Sequence, residues 1–171
     1  MTRYCALLRA VNVGGTGKLP MAELRALCAD AGFADVSTYI ASGNALFATD
    51  ASEDAVRAAL EERLAAHAGK PVGVLIRSAA RMRQALQSNP FPEADPRRLG
   101  VLFLPSEPEP AALEPKGQAG EAIVAAGREV YIHYPDGMGR SKLRFKAMDV
   151  GTMRNLNTVA KLADLLDDTG D

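Results

Sequence analysis

The apolar positions change period several times along the chain, and each change marks an element. Tyr4-Cys5-Ala6-Leu7-Leu8 is apolar on both alternating faces, which predicts a central strand. Pro20 stands at a first helical position, and Met21, Leu24, Leu27, Cys28 and Ala31 form a helical stripe that stops at Gly32. Val36 to Ile40 and Ala45 to Ala48 predict short strands joined through the turn Ser42-Gly43-Asn44. Asp50 and Glu53 have capping-box spacing ahead of a helix with Val56, Leu60 and Leu64 on one face. Pro71 then precedes a further strand, Val72 to Ile76.

Strand, helix, strand, strand, helix, strand is the order of a ferredoxin-like split βαβ unit, with an antiparallel sheet and its helices on one face. A helix over residues 78–88 follows. Seven of the ten prolines then fall between Pro90 and Pro115, a density that favours stiff, extended connections. A strand, Val101 to Leu104, is embedded there, and Glu107, Glu109 and Glu114 make the next stretch acidic. Ala122 to Ala125 and Val130 to Tyr134 predict a second hairpin around Ala126-Gly127. Two helices are expected after it, over residues 141–150 and 157–167, the latter with Val159, Leu162 and Leu166 inward. The predicted fold class is α+β: two ferredoxin-like (split βαβ) subdomains with antiparallel sheets, the second incomplete or modified. Residues 1–77 form the first, 78–99 a connecting helix and proline-rich linker, and 100–171 a second α+β subdomain with C-terminal helices.

Composition narrows the function classes. Of the 171 residues, 47% are hydrophobic but only 5% aromatic, without tryptophan, so the core rests on aliphatic side chains. A net charge of −1 argues against a generally basic nucleic-acid coat or a polybasic membrane anchor. No apolar run approaches the roughly 20 residues that cross a bilayer, and the N-terminus lacks a signal-peptide pattern. Cys5 and Cys28 lie in apolar segments and read as reduced core residues, so a cytoplasmic location is expected.

Three loops carry candidate chemistry. Arg9-Ala10-Val11-Asn12-Val13-Gly14-Gly15-Thr16-Gly17-Lys18 follows a strand and precedes a helix, as phosphate-binding loops do. It is no Walker loop: Leu19 replaces the Ser or Thr that would hold magnesium, and Asn12 stands where the first glycine is needed. Arg9, Asn12, Gly14, Gly15 and Lys18 keep an anion site open beside the alternative of a flexible connection. The expected topology places Ser42 and Asn44 at the same end of the sheet, either lining that pocket or simply making their turn.

In Tyr134-Pro135-Asp136-Gly137-Met138-Gly139-Arg140-Ser141-Lys142-Leu143, Ser141 is expected to cap the next helix. Arg140, Lys142, Arg144 and Lys146 would then crowd its start against the dipole, at about 0.3–1 kcal/mol each. A bound anion held by backbone N–H groups and these cations resolves the conflict; a solvated cationic face is the alternative. Residues 128–161 hold seven Lys or Arg against three acids, a net +4.

Several of these stretches together resemble one family. Leu7-Leu8-Arg9-x-Val11-Asn12-Val13-Gly14-Gly15, Thr38-Tyr39-Ile40-x-Ser42-Gly43-Asn44, Asn89-Pro90-Phe91, Tyr134 to Lys142 and Thr152-x-Arg154-Asn155-x-Asn157-Thr158 are similar to the bacterial domain of unknown function 1697 family. The likeness runs in order over nearly the whole chain. It implies a soluble bacterial protein with a fold related to ferredoxin-like units, and it implies no activity. Ala41 departs from the pattern, where a polar residue such as Gln is expected.

Arg154, Asn155, Asn157 and Thr158 cluster at a helix start, either as caps or as further polar contacts for a ligand. Catalysis has thinner support. His133, Asp136 and Ser141 lie close in sequence across one loop, without metal-ligand spacing or a nucleophile elbow. The expected ligand is anionic: a nucleotide, a phosphorylated metabolite or a nucleic-acid backbone. Arg140, Ser141, Lys142 and Arg154 would contact it, Gly137 and Gly139 would admit its approach, and Asn12, Asn44 and Asn157 would orient polar edges. The alternatives are a hydrolase or transferase using Asp136 or His133, and a protein-interaction module without a small ligand. No cofactor and no metal is expected, and no membrane partner.

Overall fold

A computed structural model of the chain describes residues 1–9, 19–40 and 43–168. The strands lie in two four-stranded sheets, every pairing of them antiparallel. Two compact units divide the chain: Met1–Met82 together with the chain from Leu162 onward, and Arg83–Lys161. The protein is thus α+β with two sheets and, among the described residues, four α-helices. None of these helices is long and apolar enough to cross a membrane.

The first unit runs β1 (Thr2–Leu8), α1 (Met21–Asp30), β2 (Ala34–Thr38), β3 (Asn44–Thr49), α2 (Glu53–Ala68) and β4 (Val74–Ser78), with strand order β2-β3-β1-β4. Helix α1 begins after extended Pro20, and Leu24 and Cys28, one turn apart, are fully buried. Helix α2 is capped by Ser52, whose side chain accepts from the Ala55 N–H at 3.2 Å. Asp50 therefore does not cap it, in contrast to the capping-box expectation; it pairs instead with the N-terminal ammonium at 3.5 Å. Gly69 ends the helix in the left-handed conformation (φ +72°) and donates its N–H to the Ala65 carbonyl. Val56, Leu60 and Leu64 of α2 pack with Leu24 and Cys28 against Tyr4, Ala6, Leu8, Phe47 and Ile76 of the sheet. The opposite face of β1, Cys5 and Leu7, is buried as well, as a strand apolar on both sides requires.

After β4, α3 (Ala79–Gln87) leads into the second unit. That unit contains β5 (Leu99–Phe103), β6 (Ala122–Ala126), β7 (Glu129–His133) and β8 (Thr152–Asn155), and the last continues directly into α4 (Leu156–Asp168). Its strand order, β6-β7-β5-β8, repeats that of the first sheet. Strand β8 is not legible in the sequence, because four residues, three of them polar, carry too little pattern to register as a strand.

The helix expected over residues 141–150 does not form. Residues Met138–Arg140 and Lys146–Asp149 are 3₁₀ turns, and the stretch between them is extended, with Lys116 and Arg144 exchanging two backbone hydrogen bonds of 2.8 Å. The period explains why. Leu143, Phe145 and Ala147 are buried while Lys142, Arg144 and Lys146 are exposed, an alternation of two that belongs to an extended chain. These cations consequently share one side of a strap and are not gathered at a helix start.

Candidate functional site

The open end of the β6–β7 hairpin, opposite its Gly127-Arg128 turn, holds a pocket of about 270 Å³. Three segments build it. Gly117, Ala119 and Glu121 approach β6, Tyr134 to Gly137 leave β7, and Arg140 to Lys142 return across the mouth. Gly117 is fixed by sterics: its φ is +69°, and a Cβ there would stand 2.4 Å from the Lys142 carbonyl oxygen. Gly137, at φ +90°, turns the chain out of β7.

Glu121 is the buried group of this wall, 7% exposed. One carboxylate oxygen accepts the Ala119 N–H and the other accepts the Ser141 hydroxyl. Ser141 in turn accepts the Leu143 N–H at 3.1 Å. These bonds, that from Ser141 foremost, hold the Glu121 carboxyl below the ordinary glutamate range of 4.5. Burial, and after it the Glu121 charge, pushes the Tyr134 hydroxyl up to about 12, with Arg144 acting in the opposite sense. The serine therefore stabilises a carboxylate. A carboxylate so reluctant to take a proton is a weak base, and the Ser141 hydroxyl is not activated by it.

At the rim, Arg140 and Lys142 are exposed and Asp136 stands with them. None of the three makes an ion pair among the described residues, although charges of both signs line one small pocket.

The structure thus brings Asp136, Gly137, Arg140, Ser141 and Lys142 together, and distributes the other expected site residues elsewhere. Gly139 is exposed with open space around it. Arg154, 7% exposed, donates to the Thr152 hydroxyl at 2.7 Å and to the Met153 carbonyl at 3.0 Å. Asn155 caps α4, accepting the Thr158 N–H at 2.9 Å, and Asn157 is exposed on the first turn. In the first unit, Arg9 donates its backbone N–H to the Gly73 carbonyl. Asn44 is fully buried and its side-chain amide donates to the Tyr39 carbonyl at 2.9 Å, bracing its turn. Asn12, Gly14, Gly15 and Ser42 lie outside the described residues.

His133 is not placed with Asp136 and Ser141. Strand alternation turns it into a separate, wide-open cleft of about 640 Å³ lined by Pro90, Phe91, Glu93, Asp95, Arg98 and Pro135. Its ring lies 5.9 Å from that of Phe91. The Asn89-Pro90-Phe91 motif is a side-chain-braced turn there, the Asn89 Oδ1 accepting the Phe91 N–H at 2.8 Å.

Nothing in the sequence marks Glu121, Gly117 or Tyr134 as site residues. Glu121 reads there as one more solvated acid in a polar stretch, and Gly117 as a loop glycine. Only the return of the strap over them gives either a role. Among the described residues no group of three or more His, Cys, Asp or Glu side chains could hold a metal ion.

An α+β chain of two like-ordered antiparallel sheets, with a charged pocket at one hairpin's open end, is the class these features define. The family described as "Protein of unknown function (DUF1697)" matches residues 1–131, and the chain belongs to that family. The chain is also similar to a solved structure, that of the conserved bacterial protein SP0830 from Streptococcus pneumoniae. The two are 27% identical, the match covers 96% of this chain and 98% of that one, and the TM-score is 0.75. Among curated proteins, none matches this chain.

Proposed function

We propose that this protein binds a small anionic molecule, of the size of a phosphorylated metabolite, in the pocket at the open end of the β6–β7 hairpin. One observation carries the reading: Arg140 and Lys142 both line that pocket, and neither makes an ion pair among the described residues. Two cations without an ion-pair partner among the described residues, at the rim of a concave surface, can attract an anion without a helix start behind them. At about 270 Å³ the pocket is at the small end of ligand sites, which favours a metabolite over a whole nucleotide or a nucleic-acid backbone. The element order and strand order of the first unit support reading it as ferredoxin-like. Cys5 and Cys28, both buried and neither in a disulfide, accord with a cytoplasmic setting.

A thermal-shift series with inorganic phosphate, phosphate monoesters and a trinucleotide tests the proposal. A ligand at about 100 times its Kd stabilises by about 2.7 kcal/mol, roughly 5–10 °C in Tm for a chain of this length. The gain should vanish in the Arg140→Ala/Lys142→Ala double variant. No stabilisation by any monoester, or an equal gain in the double variant, overturns the reading. A steep loss with salt confined to the trinucleotide would favour nucleic acid instead.

A further inference from the structure

We propose that the ligand of this pocket is dipolar, carrying a protonated amine or an equivalent N–H donor beside its anionic group. The inference rests on the reading of the pocket as an anion site and adds the other half of the guest. Glu121 is a wall residue, nine-tenths buried, and its hydrogen bonds from Ser141 and Ala119 keep it ionised at neutral pH. A carboxylate has about four lone-pair directions; Ser141, Ala119 and Glu121's own backbone N–H take three of them, leaving acceptor capacity for a guest. Asp136 adds a second carboxylate at the rim, with no ion-pair partner among the described residues.

A purely anionic guest would gain from Arg140 and Lys142 but would also meet the fixed negative charge of Glu121. Neutralising Glu121 by protonation is no escape, because its surroundings favour the charged form. A guest with a positive or N–H-bearing end satisfies both sets at once: its anion meets the two cations, and its donor meets the Glu121 oxygens. Tyr134 contributes a neutral hydroxyl-bearing ring to the same wall and adds no charge. The small volume suits a molecule of only a few carbons, such as an amino acid or a phosphorylated amino alcohol.

Matched pairs of probes that differ in the amine alone test this. Calorimetric binding of phosphoethanolamine is compared with ethyl phosphate, and β-alanine with propionate, on the full chain. At least one amine-bearing member is expected to bind about tenfold or more tighter than its partner. Glu121→Gln should collapse that preference while leaving the weak binding of the amine-free anion. Should that variant fold poorly, Asp136→Asn, at an exposed position, is expected to reduce the preference in the same direction. If the amine-free members bind as tightly as their partners, the dipolar inference fails and the anion site stands. If no probe binds, or if binding is indifferent to Arg140→Ala/Lys142→Ala, the anion reading fails with it.

Discussion

The two units of this protein solve one packing problem in two ways. Each has a four-stranded antiparallel sheet of the same strand order, and each must cover one apolar face of it. The first unit does so with α1 and α2, helices of 10 and 16 residues. The second covers Leu102, Val130, Ile132 and Tyr134 with Leu143, Phe145 and Ala147 from the strap, aided by Leu113 and Met138 from 3₁₀ turns. A helix satisfies its own backbone groups, whereas an extended strap must find partners for them elsewhere. Here they are the Lys116 backbone for Arg144 and the Ser141 hydroxyl for Leu143. Replacing helix by strap thereby draws polar side chains into the wall of the unit. The pocket lies beside that wall.

Equivalence of strap and helix can be broken by truncating one anchor in each. Leu60 of α2 and Phe145 of the strap are both buried, 0% and 4% exposed. Leu60→Ala is expected to cost about 2–5 kcal/mol and Phe145→Ala about 3–5 kcal/mol, read from urea unfolding. A cost below about 1 kcal/mol for Phe145→Ala would mean that the strap decorates the sheet and does not seal it.

Next in size is the point where the strap meets its neighbour. Gly117→Ala forces a left-handed alanine and drives its Cβ to 2.4 Å from a backbone oxygen of Lys142. The conformation costs about 1–2 kcal/mol and the overlap about 1–3 kcal/mol more. Gly127→Ala, at φ +61° with nothing within 4 Å, carries the first cost alone. The difference between the two melting curves therefore isolates the close approach. Equal losses would show that the 117–142 contact yields freely and that the pocket wall is soft.

The same contrast explains what was legible in the sequence. The first unit is readable because its helices carry four-residue spacing (Val56, Leu60, Leu64) and its strands carry apolar runs bounded by turns. The strap carries equally plain information in Leu143, Phe145 and Ala147. Ser141, which resembles a cap, and the crowded cations point instead to a helix with a dipole conflict. Alternation over six residues was the stronger signal. Arg140, Ser141 and Lys142 could be picked out by residue type, as could Asp136 and Gly137. Their partner Glu121 could not, since it lies 20 residues upstream of Ser141 and nothing local to it distinguishes a wall carboxylate from a solvated one. Arg154, Asn155 and Asn44 were attractive for the same polar chemistry, but the fold spends them on a buried strand, a helix cap and a turn.

The smallest expected effect is also the most specific to the strap. Glu121 holds its proton less tightly in the folded chain than the ordinary value of 4.5, chiefly because the Ser141 hydroxyl bonds the charged form. Below that value the unfolded chain takes up the proton first, so the folded state loses ground as pH falls. The contribution is fully present above the unfolded value and is gone once pH has passed below the folded one. Unfolding free energies of the wild type and Glu121→Gln, compared from about pH 7 to about pH 3, should therefore differ most near neutrality and converge in acid. Asp95, likewise lowered by Arg97, titrates in both proteins and cancels from the difference. A gap that stays constant across the range would show that Ser141 and Ala119 do not hold the carboxylate ionised. The α2 side offers a control: Ser52→Ala, which removes a cap from the Ala55 N–H, is expected to cost about 1 kcal/mol at every pH in that interval. A pH-dependent gap between wild type and Glu121→Gln, set against a flat Ser52→Ala gap, would place that acid response at the strap.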